Sequence, residues 1–315
     1  MMLVLLAAAA LRYAADGDAA VQTWSVQCNS ARTSVSLDTK YEERTPRGNS
    51  LDEESHEVAL ADLGSKLPGL TKDQVFAHAA HVHFRRVHDA GTLEYDGLIH
   101  DGSGGGDFQI VFNPRFATEL QRRGIGTPSA VQQRRLTLLG ADSSYLDLLA
   151  RYDFERPNVG QLLDLLEHGV SADYLRGMAA LRLTPHSIDG IVRARDHGVT
   201  PEYARSLLDA GYRSLSLDDL VRARDHGVSA DLVAAFKSQG YVGIPMDQMV
   251  RLEDHGVSAD FIRGMKALGY APGAEDLIRL RDHGVTPQYV ADLRRRGYNN
   301  KLSVEDLIRL RDSGI

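Results

Sequence analysis

A four-residue signature, Asp/Glu-His-Gly-Val, recurs through the second half of this 315-residue chain and constrains its fold more than any other feature. The signature histidines are His168, His197, His226, His255 and His283, at intervals of 29, 29, 29 and 28 residues. A degenerate copy follows, in which Ser313 takes the place of the histidine. A divergent copy precedes the array at Gly140 to Tyr145. Self-similarity at such a period predicts a tandem array of one supersecondary unit.

Each unit is predicted to contain two short helices, A and B. Helix A begins after a capping residue such as Ser216 and ends at the signature glycine, where a left-handed residue is favoured. These glycines are Gly169, Gly198, Gly227, Gly256 and Gly284. Helix B begins two residues later, with Pro201 or Pro287 at its first position in two copies, and closes on a Gly-Tyr pair in four. Helices this short are unstable alone in water, so we predict an α-solenoid of two-helix repeats over residues 113–315.

Charged residues recur at fixed positions of the repeat. An acid precedes an arginine by four residues in helix A, as with Asp218 and Arg222, and predicts ion pairs along that helix. The adjacent Asp and His of the signature resemble part of a catalytic triad, but no nucleophile repeats beside them, which favours a structural role. Arginines also fall within the apolar arc of helix A, and we hypothesise that they form a partly buried charge ladder with one glutamate. Its members are Arg195, Arg224, Glu253, Arg281 and Arg311.

Residues 21–112 have the alternating pattern of β-strands. We expect a small antiparallel module, folded as a sandwich or half-barrel, which makes the chain an α+β protein. The polar stretch from Asp38 to Glu54 suggests a mobile loop, and Thr71 is placed to cap a short helix. Residues 101–106 contain four glycines and are expected to join two strands. Because no Gly-Lys-Ser/Thr follows them, a phosphate-binding loop is disfavoured.

Histidines of the β module are the weak candidates for a metal site. His81 and His83 lie on one face of a predicted strand, with His88 and His100 nearby in the sequence. No cysteine or fixed carboxylate spacing supports a metal there, so neither a metal nor a cofactor is expected. His56 and Glu57 open like a zinc-protease motif, but a leucine stands where the second histidine is required.

The composition and the N-terminus bear on partners and location. A formal net charge of −7 argues against a nucleic-acid partner. The single cysteine, Cys28, excludes an intrachain disulfide. Residues 1–20 begin with an apolar stretch too short to cross a bilayer and continue with small residues, which predicts a signal peptide or the tail of a membrane segment. We therefore expect an exported protein, periplasmic or anchored to the membrane and facing outward.

The repeat segments, such as Leu217-Asp218-Asp219-Leu220 with Asp225-His226-Gly227-Val228, resemble a bacterial repeat. That repeat occurs in exported proteins and at the C-terminal ends of beta-lactam-sensor-type (BlaR-like) membrane metallopeptidases, and segment 86–108 is similar to the β region that accompanies it. The resemblance implies an extracytoplasmic sensory or binding module, and it carries over no catalytic residue because the zinc motif of the peptidase is absent here.

We therefore expect a non-enzymatic scaffold that binds a protein, a peptide or an envelope component through its repeats. Two alternatives stay open. One is a metal-dependent hydrolase that uses the β-module histidines, and the other is the sensor portion of a larger membrane peptidase or regulator.

Overall fold

The computed structural model describes residues 20–45, 48–183, 187–298 and 302–315. Residues 1–19, which make up nearly all of the predicted signal peptide or membrane-segment tail, lie outside the described residues. Among the helices that the structure describes, none is both long enough and apolar enough to cross a membrane.

Six antiparallel strands form one sheet in the N-terminal part of the chain, in the order β3-β2-β1-β6-β5-β4. The strands are β1 (Val21–Cys28), β2 (Ser34–Thr45), β3 (Gly48–Ala59), β4 (Ala80–His88), β5 (Gly91–His100) and β6 (Ser103–Phe112). The predicted antiparallel β module is confirmed. Its strands belong to one sheet, so the sandwich alternative, which needs two packed sheets, is wrong.

Within the polar stretch from Asp38 to Glu54, residues 38–45 lie in strand β2 and residues 48–54 lie in strand β3, so the expectation of a mobile loop is wrong for these described residues. The two strands pair from Ser34 opposite Ala59 to Thr45 opposite Gly48. Leu37, Thr39 and Tyr41 are buried at period two on β2. Because the middle residue of that set is a threonine and the outward residues are charged, the alternation is weak in the sequence.

The sheet curves so that strands far apart in its order approach each other on the inner face. Thr39 Oγ1 on β2 lies 3.2 Å from Tyr95 OH on β5, although two strands separate β2 from β5 in the sheet. Trp24 packs edge-on against Phe84 and Tyr95, with ring centroids 5.0 and 6.1 Å apart. The inner face therefore encloses the hydrophobic core of the module, as in a half-barrel.

The expected six-residue glycine joint is a two-residue turn. Asp101 (φ 47°) and Gly102 (φ 89°) alone connect β5 to β6, the left-handed pair that a tight Asp-Gly hairpin requires. Gly104 and Gly106 lie inside β6, and Gly106 pairs with Gly97 of β5. A Cβ on Gly106 would stand only 2.1 Å from the carbonyl oxygen of Asp96, so side chains there are excluded by the close approach of the strands.

Two short helices, α1 (Leu63–Lys66) and α2 (Lys72–Phe76), lie between β3 and β4. The predicted cap at Thr71 is confirmed. The Thr71 hydroxyl accepts from the backbone N–H of Gln74, and the Gln74 side chain accepts from the backbone N–H of Thr71. This reciprocal pair satisfies donors that the first turn of a helix leaves free.

The remaining elements are helices of eight or nine residues. They are α3 (Pro114–Arg122), α4 (Ala130–Leu138), α5 (Ser143–Arg151), α6 (Val159–Glu167), α7 (Ala172–Ala179), α8 (Ile188–Asp196), α9 (Pro201–Asp209), α10 (Leu217–Asp225), α11 (Ala230–Ser238), α12 (Met246–Asp254), α13 (Ala259–Ala267), α14 (Ala274–Asp282), α15 (Pro287–Arg295) and α16 (Val304–Asp312).

The chain divides into two compact units. The first comprises residues up to Arg151 together with 156–167, and the second comprises residues 152–155 together with 168–315. Helices α3 to α6 therefore belong to the unit of the sheet, whereas the sequence analysis separated them from the β module at residue 112. The contacts of α4 explain this grouping, because Gln133 and Thr137 donate to the carbonyl oxygen of Ala90, at 2.7 and 3.1 Å.

In the second unit, helices of the same kind stack on each other. The A helices α8, α10, α12, α14 and α16 contact one another in succession, and among the B helices α7 contacts α9 while α11 contacts α13 and α13 contacts α15. The predicted caps are confirmed. Ser187, Ser216 and Ser303 accept from the third residue of their A helices, and Ser229 does the same for a B helix. The unit is a solenoid of two-helix repeats.

Candidate functional site

The signature histidines link successive repeats. Each histidine Nδ1 lies 2.6–2.9 Å from the carboxylate of the aspartate that ends the next A helix, and we name this set the histidine ladder. Its pairs are His168–Asp196, His197–Asp225, His226–Asp254, His255–Asp282 and His283–Asp312. The partner of each histidine is therefore the aspartate one repeat later, not its neighbour in the signature. An imidazole held in this way connects two helix ends, and the pairs lie at the surface.

The signature glycines end the A helices as predicted. Gly169, Gly198, Gly227, Gly256 and Gly284 have φ between 65° and 74°, the left-handed conformation that terminates a helix at low cost only for glycine. Their backbone is also a contact surface for the next repeat. The Nε of Arg195 donates to the carbonyl oxygen of Gly169 at 3.1 Å.

The arginines of the hypothesised charge ladder lie over aromatic rings of the preceding B helix. The guanidinium carbon is 5.5 Å from the ring centre for Arg195 over Tyr174, and the other pairs repeat this geometry. They are Arg224 over Tyr203 at 5.1 Å, Arg281 over Phe261 at 5.4 Å and Arg311 over Tyr289 at 5.0 Å. These distances are those of cation–π contacts. We name this set the ring ladder.

Glu253 interrupts the ring ladder for a reason visible in the sequence. The residue at the ring position of the preceding B helix is Leu232, the third residue after the cap Ser229, where other repeats have tyrosine or phenylalanine. A leucine offers no π face to a cation. In the described part of the chain, Glu253 forms no ion pair with the four arginines, so the geometry differs from the hypothesised charge ladder.

The acid and arginine of helix A also connect repeats. Arg251 forms two hydrogen bonds with Glu275 of the next A helix, at 2.5 and 2.8 Å. Arg193–Asp218, Arg222–Asp247 and Arg279–Glu305 are the equivalent pairs. The hydrogen bonds from Arg251 lower the pKa of Glu275. The prediction that these arginines pair four residues back within their own helix is wrong for Arg222, which contacts Asp219 and Asp247 instead.

A groove of about 600 Å³ opens in the second unit, between the loop that precedes α10 and the loop that precedes α12. Its walls include Tyr212, Tyr241, Ile244 and Lys237. The Tyr212 hydroxyl donates to the carbonyl oxygen of Ile244 at 2.9 Å, which joins the two loops. The volume lies within the range of small-ligand pockets.

The structure separates the histidines of the β module into three places. His81 and His83 both face Asp96, at 3.3 and 3.7 Å, and each approaches a different carboxylate oxygen. His88 is half-buried against Asp142, at 3.2 Å. His100 lies beside His78 and Asp101, which the sequence analysis did not select. The weak metal candidates His81 and His83 are therefore not grouped with His88 or His100.

The inner face of the sheet holds a buried polar cluster that the sequence analysis missed. Arg86 is 8% exposed, and its Nη2 donates to the carbonyl oxygen of Leu138 at 3.3 Å. Burial, with the nearby charge of Arg86, lowers the pKa of His56 to about 4. Burial also raises the pKa of Glu54. No local motif marks these residues, because β3 and β4 are opposite edges of the sheet and approach only through its curvature.

Comparison of the chain with protein-family models, with curated proteins and with solved structures found no match. The class of the protein therefore follows from its own architecture, an antiparallel β module followed by a solenoid of two-helix repeats.

Proposed function

We propose that the protein is a non-enzymatic scaffold that binds a protein or peptide through the solenoid of its second unit. The periodic charges support this function because they are engaged in stacking the repeats. The histidine ladder, the ring ladder and the acid–arginine pairs all join one repeat to the next. Such links hold the loops between helices in a fixed arrangement, and a preorganised surface loses less freedom when a partner binds.

The groove between the loops at 210–215 and 241–245 is the observation that carries this proposal. Apolar side chains, Leu215, Ile244 and Met246, lie beside the charged Lys237 and Asp247. This combination suits a peptide segment with an apolar anchor and a polar backbone.

One exposed apolar side chain stands at the rim of the same loops. Val242 is 71% exposed, next to the groove residues Tyr241 and Gly243. An apolar residue that projects from a loop tip gains free energy when a partner covers it.

A capture experiment with two matched valine substitutions tests the proposal. The full chain is immobilised, exposed to a bacterial envelope fraction, and the retained proteins are quantified by mass spectrometry. Val242→Asp should abolish retention of the main partner. Val131→Asp is the control, because Val131 is also an exposed valine, at 50%, but lies on α4 in the first unit. Equal retention by the two variants, or selective loss with Val131→Asp, contradicts binding at the groove.

Location outside the cytoplasm belongs to the same proposal. Its support is the apolar segment at the start of the sequence and the resemblance of the repeats to those of exported bacterial proteins. Fractionation of the native host, with an antibody against the purified chain, should recover the protein with the envelope. Recovery in the cytosol alone contradicts this location.

A further inference from the structure

Three potential metal ligands converge at one end of the β module. They are His78 in the segment between α2 and β4, His100 at the end of β5, and Asp101 in the turn that follows. The Nδ1 atoms of the two histidines lie 3.2 and 3.1 Å from the same oxygen, Oδ2 of Asp101. The two imidazole rings are 4.5 Å apart.

The backbone beneath these ligands is tied in place. The N–H of Asp101 donates to the carbonyl oxygen of Ala77 at 2.9 Å, and the N–H of Gly102 donates to that of Val75 at 2.8 Å. The carbonyl oxygen of Gly102 accepts from the N–H of Cys28 at 2.7 Å. The turn is thus connected both to helix α2 and to strand β1, and Asp101 is held directly beside the residue that precedes His78. A rigid support reduces the entropy lost when an ion collects its ligands.

The spacing and the chemistry of the ligands suit a divalent transition metal. Ligand atoms about 2.0–2.1 Å from a tetrahedral zinc ion are separated by about 3.3 Å. The two histidine–aspartate distances, 3.1 and 3.2 Å, are close to that separation. Imidazole nitrogen favours zinc and its neighbours over magnesium and calcium, which prefer oxygen. One carboxylate supplies negative charge.

Exposure leaves room for a further ligand. The side chain of His78 is 88% exposed, and those of His100 and Asp101 are each 54% exposed. A three-ligand site of this kind keeps its fourth position for water or for a donor atom from another molecule.

The neighbouring cluster of His81, His83 and Asp96 lacks this convergence. Its two imidazoles approach different oxygens of Asp96, at 3.3 and 3.7 Å. This cluster contains the same residue types, has comparable exposure and lies on the same sheet, so it provides a matched control.

We propose that His78, His100 and Asp101 form a surface site for one zinc-class divalent ion, independent of the partner-binding groove in the second unit. The site lies in the β module and involves none of the repeat residues, so failure of this proposal leaves the scaffold function standing.

The test titrates the full chain, freed of metal by chelation and dialysis, with Zn²⁺ in a calorimeter and with Co²⁺ by visible absorption. One saturable site is expected. His78→Gln and Asp101→Asn should each weaken Zn²⁺ binding by at least about tenfold, equivalent to 1.4 kcal/mol. Asparagine is chosen because it accepts the left-handed conformation of this position, so the turn is retained. His81→Gln should leave the affinity unchanged.

Two results overturn the proposal. One is the absence of saturable binding by the unaltered chain, and the other is a loss of affinity in His81→Gln that equals or exceeds the loss in His78→Gln. Fluorescence of the buried Trp24 verifies that each variant has kept the fold of the β module.

Discussion

Replacing Leu232 by tyrosine and Glu253 by arginine should create the contact that the ring ladder lacks at this junction. Leu232 occupies the ring position of its repeat, and Glu253 lies at the level of the arginines in the next A helix. A Cβ on Gly227 would be 3.8 Å from Oε1 of Glu253, which places this side chain where Arg224 stands against Gly198, at 3.7 Å, one repeat earlier. The local geometry for the contact is therefore present.

The expected coupling follows from the existing pairs. Ring-to-guanidinium distances of 5.0–5.5 Å at exposed sites correspond to about 0.5–1 kcal/mol for each cation–π contact. Leu232→Tyr alone and Glu253→Arg alone lack the partner, so the gain should appear only in the double variant. For a unit of this size, about 1 kcal/mol corresponds to an increase in Tm of about 2–4 °C.

A double-mutant cycle measures the coupling. Urea unfolding of the wild type, the two single variants and the double variant is followed by circular dichroism, which reports on the helices. The reverse cycle, Tyr203→Leu with Arg224→Glu, removes an existing pair and should show coupling of similar size. Coupling below about 0.3 kcal/mol in both cycles, the usual error of additivity, refutes the ring ladder as a source of stability.

The remaining predictions concern the first unit and the ends and faces of the helices. His56 has a folded pKa of about 4 against an ordinary value of 6.5. Between these two values the unfolded chain binds a proton that the folded chain does not. The free energy of unfolding therefore decreases as the pH is lowered, by about 2 kcal/mol from pH 7 to pH 5. Urea unfolding followed by tryptophan fluorescence should show this loss of stability in the wild type and in His81→Gln but not in His56→Gln. A loss in His56→Gln as large as that of the wild type would contradict the assigned pKa. Gly273 precedes α14 without a side-chain cap and with open space around it, so Gly273→Ser should raise stability by a few tenths of a kcal/mol. A lower Tm would show that the added hydroxyl fails to cap. Arg222→Ala should cost less than about 1 kcal/mol, and less still in high salt, because its ion pairs are exposed; a larger, salt-independent loss in urea unfolding would contradict a screened surface role.

The repeat boundaries were predictable because their signals are local. A capping serine or threonine, a glycine at the helix end and an apolar stripe each act within a few residues, so Ser216, Ser229 and Gly227 mark their helix limits in the sequence alone. The correlated change of Leu232 and Glu253 was also visible there. Why Leu232 and Glu253 change together could be explained only from the stacking of the repeats, because the two residues are neighbours only across the junction between two repeats.

The pairing of the charges was not predictable from local spacing. Arg222 has an acid four residues before it, yet it reaches Asp247 of the next A helix. An exposed pair within one helix contributes only about 0.2–0.5 kcal/mol, so the position of the adjacent helix easily changes the partner. The histidine ladder shows the same effect, since His226 bonds to Asp254 rather than to its neighbour Asp225.

The sequence by itself determined the two-part α+β organisation, the period of the repeats and the limits of their helices, since these depend on caps, glycines and periodicity close along the chain. Tertiary structure alone decided which charges meet, how the sheet brings Arg86 near His56, and why His100 lies with His78 and Asp101 instead of His81. Sheet curvature, a tight turn and helix stacking produce these contacts. No local sequence pattern marks them, because the residues that they join are separated along the chain.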